Sequence, residues 1–175
     1  MLSKIVKVGA VTNLSDARYC AGMGVDLVGF PLDGPYAISI EDVKEITGWI
    51  EGVRLVAEYE STDINTIKSN QESFPFELIQ VENEGLANDL IKEGYQIVLK
   101  TDRLPQDSTP FAYVIVDSRN ENVPKNCLLG GESITKDSVQ TLSVDGIHLV
   151  GSQEIRPGYK DFDELADILE VLEVD

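Results

Sequence analysis

Short apolar runs alternate with stretches at helical spacing from one end of the chain to the other. Residues 4–11 and 26–32 read as strands on either side of a helix over about 15–23. Asn13 or Ser15 can cap that helix, and Gly22 and Gly24 stop it. Over 39–50, Ile40, Val43, Ile46 and Ile50 fall on one face behind a capping Ser39, and 53–59 follows as a third strand. A weaker helix at 63–69 leads to strand four at 76–82. Leu86, Ala87, Leu90 and Ile91 then stripe a helix ending at Gly94, before strand five at 95–101.

There the rhythm changes. Residues 102–110 and 119–126 carry Pro105, Pro110 and Pro124 and no apolar stripe. They predict loops around strand six at 111–118 where helices would otherwise stand. Strand seven at 127–131, a short helix at 135–142, strand eight at 146–151 and a last striped helix ending near Leu172 complete the pattern. Eight strands in strict alternation imply parallel, right-handed β-α connections. The expected fold class is α/β: a single domain over 1–175 forming a (β/α)8 TIM barrel whose helices after strands five and six are reduced to loops. An open doubly wound sheet is the alternative, without the phosphate-loop fingerprint that usually accompanies it. A full-size barrel takes about 250 residues and at least about 200. The 175 here fall short by an amount those two loops account for.

Charge removes several partners. With 14 basic against 31 acidic side chains, a formal net charge of −17 and no basic run, nucleic acid and anionic membranes are not expected partners. No apolar run approaches a membrane span and no signal-peptide core precedes the first strand, so a cytoplasmic location is expected. Cys20, Cys127 and the single His148 cannot build a zinc site, and no metal or cofactor is expected. Both cysteines read as small core residues, and mid-strand His148 as a satisfied core or surface residue.

In a barrel, reactive groups lie at the C-terminal strand ends and phosphate sits by the loops after strands seven and eight. Gly130, Gly131, Gly151 and Ser152 would leave backbone N–H groups open to a phosphate there, or merely shape tight turns. Asp117 ends the run Val114-Ile115-Val116, so its carboxylate emerges at the mouth. It suits a general acid as well as it suits a cap or a loop hydrogen bond.

Five segments in order then resemble one family. They are the run from Lys7-Val8-Gly9-Ala10 to Arg18, Gly24 to Phe30, Val116-Asp117-Ser118, Leu129-Gly130-Gly131, and Arg156-Pro157-Gly158-Tyr159-Lys160-Asp161. Together they are similar to phosphoribosylanthranilate isomerase of tryptophan biosynthesis, across nearly the whole chain. The resemblance implies a cofactor-free Amadori aldose-ketose isomerisation. An aspartate acid, falling on Asp117, opens the ribose ring, and a cysteine base removes the C2 proton.

The base is where this chain departs. The family's Lys-Ile-Cys-Gly is Lys7-Val8-Gly9-Ala10, so Gly9 stands at the cysteine. Lys7, on the same side of the strand one layer below the mouth, is the one candidate substitute. Tyr36 replaces an arginine that helps hold the anthranilate. The segment Gln80-Val81-Glu82-Asn83 replaces Gln-Leu-His-Gly and brings Glu82 toward a doubly anionic substrate, and Arg156 also falls at the mouth. The expectation is an isomerase-like barrel, catalytically degenerate or with changed substrate, that takes a small phosphorylated ligand. The alternatives are a still-active isomerase with another base, and a non-catalytic binding or assembly protein. The last would pair as a homodimer or with another protein across apolar barrel sides left bare by the missing helices.

Overall fold

Eight parallel strands close on themselves in sequence order, β1 pairing with both β2 and β8. They are β1 (Ile5–Gly9), β2 (Leu27–Pro31), β3 (Arg54–Glu58), β4 (Leu78–Val81), β5 (Ile97–Thr101), β6 (Tyr113–Asp117), β7 (Cys127–Gly130) and β8 (Gly146–Val150). This is the expected TIM barrel, and closure excludes the open sheet. The computed structural model describes the whole chain except residues 118–120, 132–133, 152–153, 157–158 and 161–162; of 154–156 and 159–160 it describes the backbone alone.

Four helices follow the first four strands: α1 (Leu14–Gly22), α2 (Ile40–Thr47), α3 (Ile64–Ser73) and α4 (Glu84–Lys92). The last helix, α5 (Asp163–Leu172), follows β8. Their starts are fixed by side chains that satisfy otherwise orphaned N–H groups. Asn13 accepts from Asp16 N, Asp63 from Thr66 N and Asn83 from Leu86 N. Ser39 and Asp42 form a reciprocal capping box at α2. Helix α3 runs four residues beyond its expected end at Ser69.

Strand alternation sorts the apolar residues into two cores. Inward-facing Leu27, Val56, Leu78, Val98, Ile115 and Leu128 plug the lower barrel. Outward-facing residues such as Val6, Val28, Ile79 and Ile147 join the helices in a second, larger cluster.

Residues 102–112 contain turns and bends and no helix, and neither do the described residues of the β6–β7 connection, 121–126. The apolar sides expected to lie bare there are covered. Outward-facing Ile97, Leu99, Val114, Val116, Cys127 and Leu129 are all at most 2% exposed. Phe111 and Val123, from the two loops, pack in the same cluster, and Asn126 Nδ2 ties the loops together by donating to Ser108 O and Phe111 O at 2.8 and 3.1 Å.

Two further differences stand out. The expected helix at 135–142 is a pair of turns. There Thr135 Oγ1 accepts from Ser138 N and Ser138 Oγ from Thr135 N as a reciprocal cap, but the backbone bonds from Val139 N to Thr135 O and from Leu142 N to Ser138 O stand as single turns in a segment of poor helix formers. Lys4 Nζ then donates to the carbonyls of Leu142 and Val144. Beyond β8, the antiparallel pair β9 (Glu154–Arg156) and β10 (Tyr159–Lys160) was not anticipated.

Candidate functional site

Above the apolar plug the inward positions turn polar. Counting in twos from Leu27, Val56, Leu78 and Gly146 along their strands reaches Gly29, Glu58, Gln80 and His148, and Lys7 lies beside both Leu27 and His148. Among the described residues, and apart from Asp16 of α1, the buried polar ones are these inward-facing side chains: Lys7, Glu58, Gln80 and His148.

Their centre is an ion pair between Lys7 Nζ and Glu58 Oε2 at 2.5 Å, with the lysine wholly buried. Glu58 Oε1 also accepts the Ala10 N–H at 2.7 Å. Burial pushes the Lys7 ammonium below its ordinary value, while the charge and hydrogen bond of Glu58 work the other way. His148 is driven well below its usual value by burial first and then by the charges of Lys7 and Lys100, so its ring is neutral at pH 7.

Gly9 is the pivot of this arrangement. A Cβ built there would stand 2.6 Å from Glu58 Oε2, 2.8 Å from His148 Cε1 and 3.1 Å from Lys7 Nζ. Gly29, on the next strand, is likewise overlain by the Glu58 carboxylate. Two glycines on β1 and β2 thus form the floor on which a β3 glutamate lies. The space that a side chain at position 9 would occupy holds a carboxylate. Ala10, next in line, has φ 53°, a left-handed conformation that costs an L-residue about 1–2 kcal/mol. Its N–H bond to Glu58 helps to hold it there.

Two cavities open above this floor. One, of about 240 Å³, includes Gly9, Tyr36, Glu58, Gln80 and Glu82 in its wall; the other, of about 600 Å³, includes Asp117, Gly130, Gly131 and Arg103. Glu82, Lys100, His148 and Val150 border both, so they form one mouth. Among the expected site residues, Gly9, Tyr36, Gln80 and Glu82 therefore meet on one side, and Asp117 meets Gly130 and Gly131 on the other. Lys7 lines neither cavity.

Asp117 is exposed rather than enclosed, and its carboxylate lies against the Cα of Gly131, whose φ of 96° and lack of Cβ permit the approach. Gly151 is buried, and its N–H donates to Gly9 O at 2.7 Å, so that amide is engaged instead of open. Ser152 and the Arg156 side chain lie outside the described residues. Cys20 and Cys127 are buried and free, with burial pushing the Cys20 thiol up to about 12, in keeping with core roles.

Sequence reasoning places Glu58 and Lys100 at strand ends facing the mouth without giving either a role, and reads His148 as a satisfied core or surface residue. His148 is not a satisfied core residue: it borders both cavities and its Nδ1 has no partner. The available signal was parity, since each is a polar residue at an inward position of its strand above the apolar plug. Burial raises the Glu82 carboxyl, Lys100 opposes this, and Glu60, Asp33 and Asp102 add to it. Asp33 buttresses the rim, accepting from Glu60 N, Ser61 N and Thr62 Oγ1. Among the described residues no cluster of His, Cys, Asp and Glu has the makings of a metal site, and no helix is long and apolar enough to cross a membrane.

Known structures share this barrel. A phosphoribosylanthranilate isomerase solved in complex with reduced 1-(o-carboxyphenylamino)-1-deoxyribulose 5-phosphate superposes with a TM-score of 0.77 at 18% identity, covering 97% of this chain and 98% of that one. TrpF from Jonesia denitrificans gives 0.75 at 16% identity over 97% and 96% of the two chains. Phosphoribosylanthranilate isomerase from Thermus thermophilus gives 0.73 at 19% over 96% and 98%. No family model matches the sequence, and no curated protein matches it. At these identities the likeness is one of fold.

Proposed function

We propose that this chain is an isomerase-like barrel on the phosphoribosylanthranilate isomerase scaffold that has lost most of that reaction and turned its mouth to a different substrate. One observation carries the reading: the Glu58 carboxylate, bonded to Lys7 and Ala10, fills the space over Gly9 where the resemblance puts the base cysteine. Loss of a general base costs about 10²- to 10⁴-fold in rate. Lys7 does not replace it, because its Nζ is fully buried and committed to Glu58. Tyr36 and Glu82 leave the same cavity without the arginine that the family uses for anthranilate.

A phosphorylated substrate remains part of this proposal, with Gly130 and Gly131 beside Arg103 and Lys100 as its anchor and Asp117 as the acid next to it. Gly151 plays no part in that anchor through its engaged amide. A coupled assay with phosphoribosylanthranilate tests the reading. Turnover at least about 10²-fold below that of an ordinary family enzyme is expected, and turnover close to it would overturn the proposal. Gly9→Cys alone should restore nothing, since its side chain meets Glu58.

A further inference from the structure

The polar floor contains two groups whose hydrogen-bonding capacity goes unused. Gln80, 5% exposed, has an Oε1 with no donor, and His148, 8% exposed, has an Nδ1 with no partner. Both side chains project into the barrel beneath the mouth and border the smaller cavity. Because His148 is neutral, one of its ring nitrogens is an acceptor. Buried polar atoms without partners cost stability unless something supplies the partners.

The charges around the same cavity point to what that is. Asp33, Glu58, Glu60 and Glu82 border it, and among the described lining residues only Lys100 brings an ammonium. Glu58 is neutralised by Lys7, and Asp33 is engaged by the β3 loop. Neither Glu60 nor Glu82 has an ion pair among the described residues. Glu60 lies against Gly34, whose φ of 77° and missing side chain leave it room. A dianion would enter this field against repulsion, whereas a cation would relieve it. Among the described residues no cluster has the makings of a metal site, which directs the choice to an organic cation, and Tyr36, 60% exposed on the same wall, offers a ring face to cover one.

We propose that the smaller cavity binds a small organic ammonium ligand, its cation held between Glu60 and Glu82 and its remaining donors meeting Gln80 and His148. This rests on the changed-substrate reading above and names the chemical class at that end of the mouth.

Titration calorimetry of the full chain at low salt tests it with two ammonium probes, glucosamine and ethanolamine, and one control without the charge, N-acetylglucosamine. None carries phosphate, so the outcome does not depend on the phosphate anchor. Saturable binding of at least one ammonium probe and none of N-acetylglucosamine is expected. Glu82→Gln should weaken it about tenfold to a hundredfold, as for loss of a charge-assisted hydrogen bond, with an unchanged far-UV spectrum. The proposal is overturned if neither ammonium probe binds, if N-acetylglucosamine binds as tightly, or if Glu82→Gln leaves affinity unaltered. These outcomes are separate from turnover of phosphoribosylanthranilate, which tests the underlying reading by itself.

Discussion

Glu58 holds the mouth together through four neighbours that impose three different demands. Lys7 needs its charge, Ala10 needs an acceptor, and Gly9 and Gly29 must stay without side chains to leave it room. Removing one member of a buried ion pair strands the other, a loss of about 3–5 kcal/mol. Glu58→Gln should therefore lower the denaturant midpoint sharply, and a wild-type midpoint would mean the pair is not buried as described. Gly9→Ala should cost about 1–3 kcal/mol through overpacking. His148 adds a pH dependence. Its folded value lies well below the usual 6.5, so the unfolded chain takes up the proton first as pH falls. Its contribution is complete above about 6.5 and declines below it, and His148→Gln should flatten that acid limb in melts between pH 7 and 5. None of these contacts was legible beforehand, because each joins residues on different strands whose register only the closed barrel sets.

At the scale of elements, period and punctuation carried most of the information. The α2 stripe of Val43 and Ile46 behind Ser39, and the prolines at 105, 110 and 124, each have a local physical cause that a linear chain displays. The turns at 135–142 escaped because apolar spacing does not weigh the low helix propensity of Thr135, Asp137, Ser138, Val139 and Thr141. The coverage of β5 to β7 escaped too, since it depends on Asn126 reaching 15 to 18 residues back along the chain. Asn126→Ala removes two bonds to partly buried carbonyls and should destabilise by about 1–3 kcal/mol. Faster amide exchange across 102–112 should accompany the loss. Unchanged protection there would show that Phe111 packing alone holds the loop.

Taken whole, the molecule carries its excess acid both on the outside and at the barrel opening. A net charge of −17 opposes compaction through self-repulsion, and salt screens it over about 10 Å at 0.1 M. The melting temperature should therefore rise as sodium chloride goes from about 10 to 150 mM. A flat response would mean that the acidic residues are locally compensated throughout. The barrel and its likeness to phosphoribosylanthranilate isomerases were foreshadowed by strand count and by segments kept in order. The floor of the mouth was not, because its defining residue, Glu58, lies in none of the segments that carry the resemblance.

The Gly9 and Glu58 arrangement also limits which substitutions the chain can accept. From the present pair, a side chain at position 9 collides with the carboxylate, while loss of the carboxylate leaves a buried lysine without its counter-charge. Each single step is unfavourable although the double replacement need not be. The two positions are consequently contingent on one another, and a chain in this state is held there by its own packing. Any route from this state to a cysteine at position 9 runs through a valley in stability.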